Sequence, residues 1–435
     1  MPRTTHIPRW LRRPFQAVAW LIGALLLAGA AGAAPTPDDR AGGASAGLFV
    51  PAPTSYRVVN LAISGPLTGL TNFNSRDQFA ISMLDANDFS HAYFYDGATL
   101  RTIPGLGGVH TTVTGINQAG QVAGYASLPG FNGLHAFRWS LREGMRDLGA
   151  LSATGASYSG FSDPVNERGD VAGYAVTQGG ETHAFRWTPA EGMRDLGGLP
   201  GNPAGFSVAH LINNDGMVAG HGTAASGTQH AFTWTRRDGM VEINTSGSAV
   251  ANLLSETGRV TGIAFTAGGP SLYTWTRRDG VRYLGAAGYE EIFFYEGFPS
   301  SNGYFTVGLR RDGGNIEHPG FSLGTPTSGV IDLGTLGGPV AFATAVNDKA
   351  HVVGQSDILP AGRVPYIWSF REGMTRLLPR VHAPPGLVVD YPIRISDNGT
   401  ILAIATNRMF VLLRPDCRGC GPHGTVDAAE TNARQ

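Results

Sequence analysis

Cysteine is close to absent from this sequence: two residues in 435, Cys417 and Cys420. A fold held by many disulfides is therefore excluded, and a Cys-x-x-Cys pair closes too short a loop to stabilise much. Redox chemistry would need a thioredoxin-like βαβ context, which is missing. Haem attachment would need a histidine where Gly421 stands, and zinc would need a fourth ligand beside Cys417, Cys420 and His423. A local disulfide in the tail is the expectation. Charge is scarce too, at 15% of residues with a net charge of −1. No basic stripe is present, so nucleic acid and anionic lipid are poor partners. The Gly-x-Ser-x-Gly elbow, the His-Glu-x-x-His pair, the Walker loop and the EF-hand loop are all missing. No catalytic residue, metal site or cofactor is assigned.

The first 33 residues read as an export signal. Arg3, Arg9, Arg12 and Arg13 form a positive start, residues 15–27 are apolar, and Ala31-Gly32-Ala33 offers small residues for cleavage. Arg12-Arg13-Pro14-Phe15 is similar to the core of a twin-arginine signal. The competing reading is an uncleaved anchor, since residues 17–34 lack any charge, and only then would the membrane be a partner. Cleavage would remove four of 32 basic residues and leave 28 against 33 acidic ones, a balance of −5. Residues 34–55, rich in Ala, Gly and Pro, read as a flexible linker.

What the chain has in quantity is glycine, 62 residues, and repetition. His135-Ala136-Phe137-Arg138-Trp139 followed by Met145-Arg146-Asp147-Leu148 returns at 183–187 with 193–196, and at 230–234 with 240–243. Weaker copies run 271–275 and 364–368. Each copy reads as a β-hairpin whose turn ends in Glu-Gly or Asp-Gly. A second motif, Asn-x-x-Gly between short apolar runs, centres on Asn74, Asn117, Asn166, Asn213, Ser255, Ser300, Asn347 and Ser396, in steps of 43, 49, 47, 42, 45, 47 and 49 residues. Asn or Ser can bond its own backbone two residues on, and Gly supplies the positive φ of a tight turn. Eight such units, each able to form four strands, predict an all-β chain: an eight-bladed β-propeller of four-stranded antiparallel blades over residues 56–413. The last unit lacks a fourth strand, whereas the repeats open on an unpaired strand at 57–61. The N-terminal strand is therefore expected to complete the last blade and close the ring. Residues 414–435 form a polar tail.

The triplets at 135–137 and 183–185, paired with the Asn-x-x-Gly turns, resemble the HAF family of probable extracellular repeats. The resemblance covers about 57–413 and implies an exported repeat protein without an assigned activity. The sixth unit departs most, with His318-Pro319-Gly320-Phe321 and no Trp after it.

Strand order puts the short connections on one face and the long, variable ones on the other, and the long-loop face with the channel mouth is the expected binding side. The largest departure from the repeat, residues 286–305, offers Glu290, Glu291, Tyr295 and Glu296 as an acidic-aromatic lip for a sugar or cationic group, or as packing of a degenerate blade. Tyr125, Tyr174 and His221 occupy equivalent places and would form a partial ring or pack the rim. One histidine per blade (His91, His135, His183, His230) spreads around a ring instead of converging on a metal; tying strand c to a neighbouring turn is the simpler role. The function expected is a non-catalytic binding or scaffolding module, periplasmic or extracellular, with a glycan, peptide or protein ligand. The alternative is a hydrolase or lyase acting on a glycan at the channel mouth.

Overall fold

The computed structural model describes residues 50–131, 133–284, 288–294, 300, 303–323, 329–360 and 362–416. The proposed signal, the linker up to residue 49, Tyr295, Glu296, Cys417 and Cys420 lie outside them. Within the described residues the chain forms eight sheets, antiparallel apart from one short pairing. In blade 2 the strands are a (Thr111–Ile116), b (Val122–Ser127), c (Leu134–Ser140) and d (Gly144–Asp147), and their spatial order follows the chain. Strand a is buried throughout and strand d is largely accessible, so a lies inside and d at the rim.

Strand b sends alternate side chains into two different seams, as period-2 alternation dictates. Val122 and Ala126 pack with Phe94 and Ala92 of blade 1, whereas Ala123 packs with Val171 and Phe185 of blade 3. Eight separate apolar clusters result, one between every pair of neighbouring blades. The cluster joining blade 8 to blade 1, with Leu402 and Phe410 against Phe79 and Ile81, closes the circle. Five strand-c tryptophans (139, 187, 234, 275 and 368) are buried in these seams. Burying each such ring contributes about 2–3 kcal/mol before conformational entropy is counted.

Glycine in strand b has a steric purpose that the repeat spacing did not reveal. Gly124, Gly173, Gly220, Gly262 and Gly354 are the ladder partners of Phe137, Phe185, Phe232, Tyr273 and Tyr366. A Cβ on Gly173 would stand 2.7 Å from Phe185 Cζ, so the ring occupies the space a side chain would take. In blade 6 the roles are exchanged: Val307 sits on strand b and Gly320 faces it on strand c.

The Asn-x-x-Gly turns do two jobs. Asn117 Oδ1 fastens its own turn by accepting from Gln121 N–H, 2.9 Å, four residues on; the bond two residues on expected from sequence is made by Asn74 and Asn166, which accept from Arg76 and Arg168 N–H. Asn117 Nδ2 also donates to the carbonyl of Asn166, 2.8 Å, in the next blade. The same relay runs from Asn74 to Asn117, from Asn166 to Asn213, from Asn213 to Ser255 and from Asn347 to Ser396. Serine at 255, 300 and 396 still accepts from its own turn but has no amide to pass on. Asn398 bridges the last gap by donating to Ser75 O and Asp77 Oδ1.

Closure is as the phasing predicts. Tyr56–Ser64 pairs antiparallel with Met409–Pro415 as the fourth strand of blade 8. Two details differ. Val381–His382 adds a short parallel fifth strand outside it, and strand c of this blade runs two residues past 413. Residues 50–55, expected as linker, pack instead. Ala52 is buried, His351 Nε2 meets Val50 O at 3.0 Å, and Arg380 donates to Pro53 O at 2.9 Å. Apolar Ala52 and these carbonyls give the segment partners that a linker reading of its composition ignores.

Candidate binding site on the inner wall of blades 2 to 4

The eighth residue after each turn Asn or Ser lies on strand b and is Ser82, Tyr125, Tyr174, His221, Ile263, Gly308, Gln355 or Ile404. Rings occur at this place only in blades 2, 3 and 4. The structure joins those three through residues the sequence reading did not select. Tyr158, on strand a of blade 3, is the ladder partner of Tyr174 and stacks on it, with centroids 5.1 Å apart. It also meets Tyr125 edge-on at 5.2 Å. Phe161 lies 6.4 Å from Tyr125, 6.2 Å from Tyr174 and 6.1 Å from His210, and His210 lies 5.2 Å from His221. Phe206 extends the band beside His221 at 6.2 Å. Seven rings from three blades thus form one continuous strip, with Phe161 and Phe206 exposed at 38% and 39%.

Local sequence explains why the strip is accessible. Between Tyr158 and Asn166, blade 3 has a longer inner segment than its neighbours, and Pro164 stops it from pairing regularly. The segment turns toward blade 4, where Asp163 N–H donates to His210 O at 3.2 Å and Ile212 N–H to Asp163 O at 3.0 Å. That detour leaves Phe161 outside the ladder. His210 sits where strand a of blade 4 bulges, between Ala209 and Leu211, and the bulge re-aims its side chain.

The strip is uncharged. Desolvation holds the His210 imidazole down to about 3, with His221 adding to the effect, and holds His221 at about 4. Burial pushes the Tyr125 phenol up to about 12 and raises Tyr158 and Tyr174 as well. At neutral pH every ring is neutral, and Nδ1 of both histidines is buried without a partner among the described residues. Asp163 is the acid beside the strip. Desolvation, then Glu256 and Glu167, raise its pKa, although Asp163 as a whole residue is exposed, so solvent screens part of that rise. Stacking and neutral hydrogen bonds are what such a surface offers.

The acidic lip expected in blade 6 is arranged differently. Glu291 pairs with Arg310 at 3.3 Å, Arg310 also holds Glu317 at 3.1 Å, and its guanidinium covers Phe293 at 4.3 Å. Glu290 accepts from Gly313 N–H, 3.1 Å. These carboxylates serve their own blade and stand apart from Tyr125, Tyr174 and His221. The repeated histidines tie strand c to strand d more often than to a turn. His135 faces Asp147 at 2.9 Å, His183 faces Asp195 at 2.9 Å, His318 faces Asp332 at 2.9 Å, and His230 contacts Glu242. His91 bonds a connection residue instead, Asp85, at 3.0 Å, and His230 Nε2 also meets Thr228 Oγ1 of a connection at 2.9 Å. Among the described residues no three His, Cys, Asp or Glu side chains are grouped to hold a metal.

No protein-family model matches the chain. No curated protein matches it either. Among solved structures it is similar to a puromycin hydrolase, at 14% identity and a TM-score of 0.45, over 79% of this chain and 59% of that one. It is also similar to the β-propeller domain of the Trilobed protease from Pyrococcus furiosus, at 11% identity and a TM-score of 0.43, over 72% and 98%. TolB from Acinetobacter baumannii is similar at 12% identity and a TM-score of 0.34, over 82% and 79%. The chain thus spans little more than half the length of the hydrolase. These likenesses carry no activity across.

Proposed function

We propose that this chain is an exported, non-catalytic propeller of the HAF type that binds a ring-shaped neutral ligand, a sugar unit of a glycan, on the strip of blades 2 to 4. The supporting observation is the continuity of Tyr125, Tyr158, Tyr174, Phe161, His210, His221 and Phe206, set against small or aliphatic residues at most equivalent places. The C–H face of a sugar stacks on the electron-rich faces of aromatic rings, and its hydroxyls suit neutral imidazole and phenol partners. Export rests on the N-terminal pattern alone, and determining the mass of the mature N-terminus from the native host tests it.

A glycan array followed by titration calorimetry tests the binding reading. Wild-type protein should bind at least one glycan saturably, and Phe161→Ala should weaken it about tenfold, the worth of one stacked ring. Unchanged binding by both Phe161→Ala and Phe206→Ala would remove the strip from the account. Asp163 favours one second reading, hydrolysis or lysis of a glycan with this carboxyl as general acid. Turnover abolished by Asp163→Asn, with melting unchanged, would establish that reading in place of the first.

A further inference from the structure

The short-connection side of the ring offers chemistry unlike that of the uncharged strip. On the short-connection side, at the seam between blades 2 and 3, lies an open groove of about 500 Å³. Gln121, Arg138, Glu143 and Arg146 of blade 2 line it together with Arg168 of blade 3. Arg138 and Arg146 are direct cross-strand partners on strands c and d, a like-charge pairing that costs stability in an ordinary sheet. Both guanidinium groups gather over one indole, that of Trp187, at 5.3 and 5.1 Å from its centroid. Arg168 enters from the Asn-x-x-Gly turn of the next blade.

The nearby carboxylates neutralise this cluster only in part. Glu143 binds Arg138 at 2.6 Å, and Arg138 spends its other arm on Gly169 O at 3.0 Å. Asp170 is held by Arg186 at 2.8 Å and lies 3.6 Å from Arg168 Nε, too long for a hydrogen bond. Glu167 turns away and accepts from Gln118 N–H. Among the described residues Arg146 has no carboxylate within 4 Å. We infer that this groove is an oxyanion-binding site in which Arg146 and Arg168 grip a phosphate-type group above Trp187, with buried Arg138 fixing the floor. A bound oxyanion would relieve the Arg138–Arg146 repulsion, give the unpaired Arg146 fork a partner, and add direct hydrogen bonds to an Arg168 that meets Asp170 only at 3.6 Å. In a chain with almost balanced overall charge, such a local excess is a feature of the seam and not of composition.

Inorganic phosphate and glucose 6-phosphate, titrated calorimetrically at constant ionic strength, test this. Wild-type protein should bind phosphate saturably, and Arg146→Gln and Arg168→Gln should each weaken it about tenfold, the worth of one charge-assisted contact. Tighter binding of glucose 6-phosphate would show that the groove also holds the group bearing the anion; equal binding would assign it to the free ion. Arg194→Gln, at the next seam over Trp234, should leave phosphate affinity unchanged. Absence of saturable binding of either probe, or equal weakening by Arg194→Gln, would overturn the site. Melting curves of all three variants separate lost binding from lost folding.

Discussion

Val58 and Leu413 are Cα partners in one antiparallel ladder, so the first and last strands of the ring hold each other. Tyr56 anchors that union, fully buried in the seam between blades 7 and 8, with a phenol oxygen that has no partner among the described residues. Removing the ring in Tyr56→Ala should cost about 3–5 kcal/mol. Tyr56→Phe deletes only an unsatisfied hydroxyl and should be neutral or slightly stabilising. Denaturant melts of both variants check the contrast; equal losses would contradict the burial of that hydroxyl.

The Asn relay separates two contributions at one residue. Asn166→Ser should keep the turn fastened, as Ser255 does, and lose only the amide, which reaches Asn213 O and Asp170 Oδ2, costing about 1 kcal/mol. Asn166→Ala should lose both and cost about 2 kcal/mol. The relay lapses at Ser255 and Ser300, so native-state hydrogen exchange should show the seams of blades 5 to 7 opening before those of blades 2 to 4. Uniform exchange around the ring would deny the relay a role in holding blades together.

Gly173→Ala is the sharpest steric test. The added methyl would collide with Phe185 and the Tyr158 carbonyl, and overpacking of this kind costs about 1–3 kcal/mol. The pair Gly173→Ala with Phe185→Leu should recover part of that loss, which a double-mutant cycle measures.

Acid should weaken the fold through two imidazoles. His210 and His221 stay neutral in the native ring down to about 3 and about 4, whereas in the unfolded chain each titrates near 6.5. Between those values the unfolded state binds more protons, so their contribution is complete above pH ~6.5 and is lost as pH falls toward the native values. Allowing for partial solvent contact, the loss is roughly 2–3 kcal/mol per ring, at about 1.4 kcal/mol per pKa unit. Asp163 has the opposite sign, because its raised native pKa makes the native state the better proton binder in that range. The His210→Phe, His221→Phe double variant should therefore show a flatter stability profile from pH 4 to 6.5 than wild type. An unchanged slope would place the two rings in water.

Most of the architecture was legible because propeller blades are written in local chemistry. Turn residues such as Asn117 and Gly120, the alternation of Phe137 and Trp139, and the missing fourth strand after Leu413 each act within a few residues of chain. What sequence spacing could not show was partnership across blades. The second duty of Asn166, the ring of Phe185 lying over Gly173, and Asp147 facing His135 all depend on which neighbour stands opposite. The strip of blades 2 to 4 lay between these cases. Tyr125, Tyr174 and His221 were visible as equivalent positions, but Phe161 became a member only through the longer inner segment that carries it out of register. Glu290 and Glu291 stood out as acids in a divergent stretch, and Arg310 and the Gly313 amide, which occupy them, could not be matched to them from spacing.

Hydrogen exchange read by mass spectrometry on the peptide covering 56–64 bears most directly on the closed ring that positions both proposed sites. If Tyr56–Ser64 is the fourth strand of blade 8, its amides will exchange slowly and open together with those of 409–415. Exchange of that peptide at the rate of unstructured chain, with 409–415 still protected, would show that the ring is not closed by its first strand.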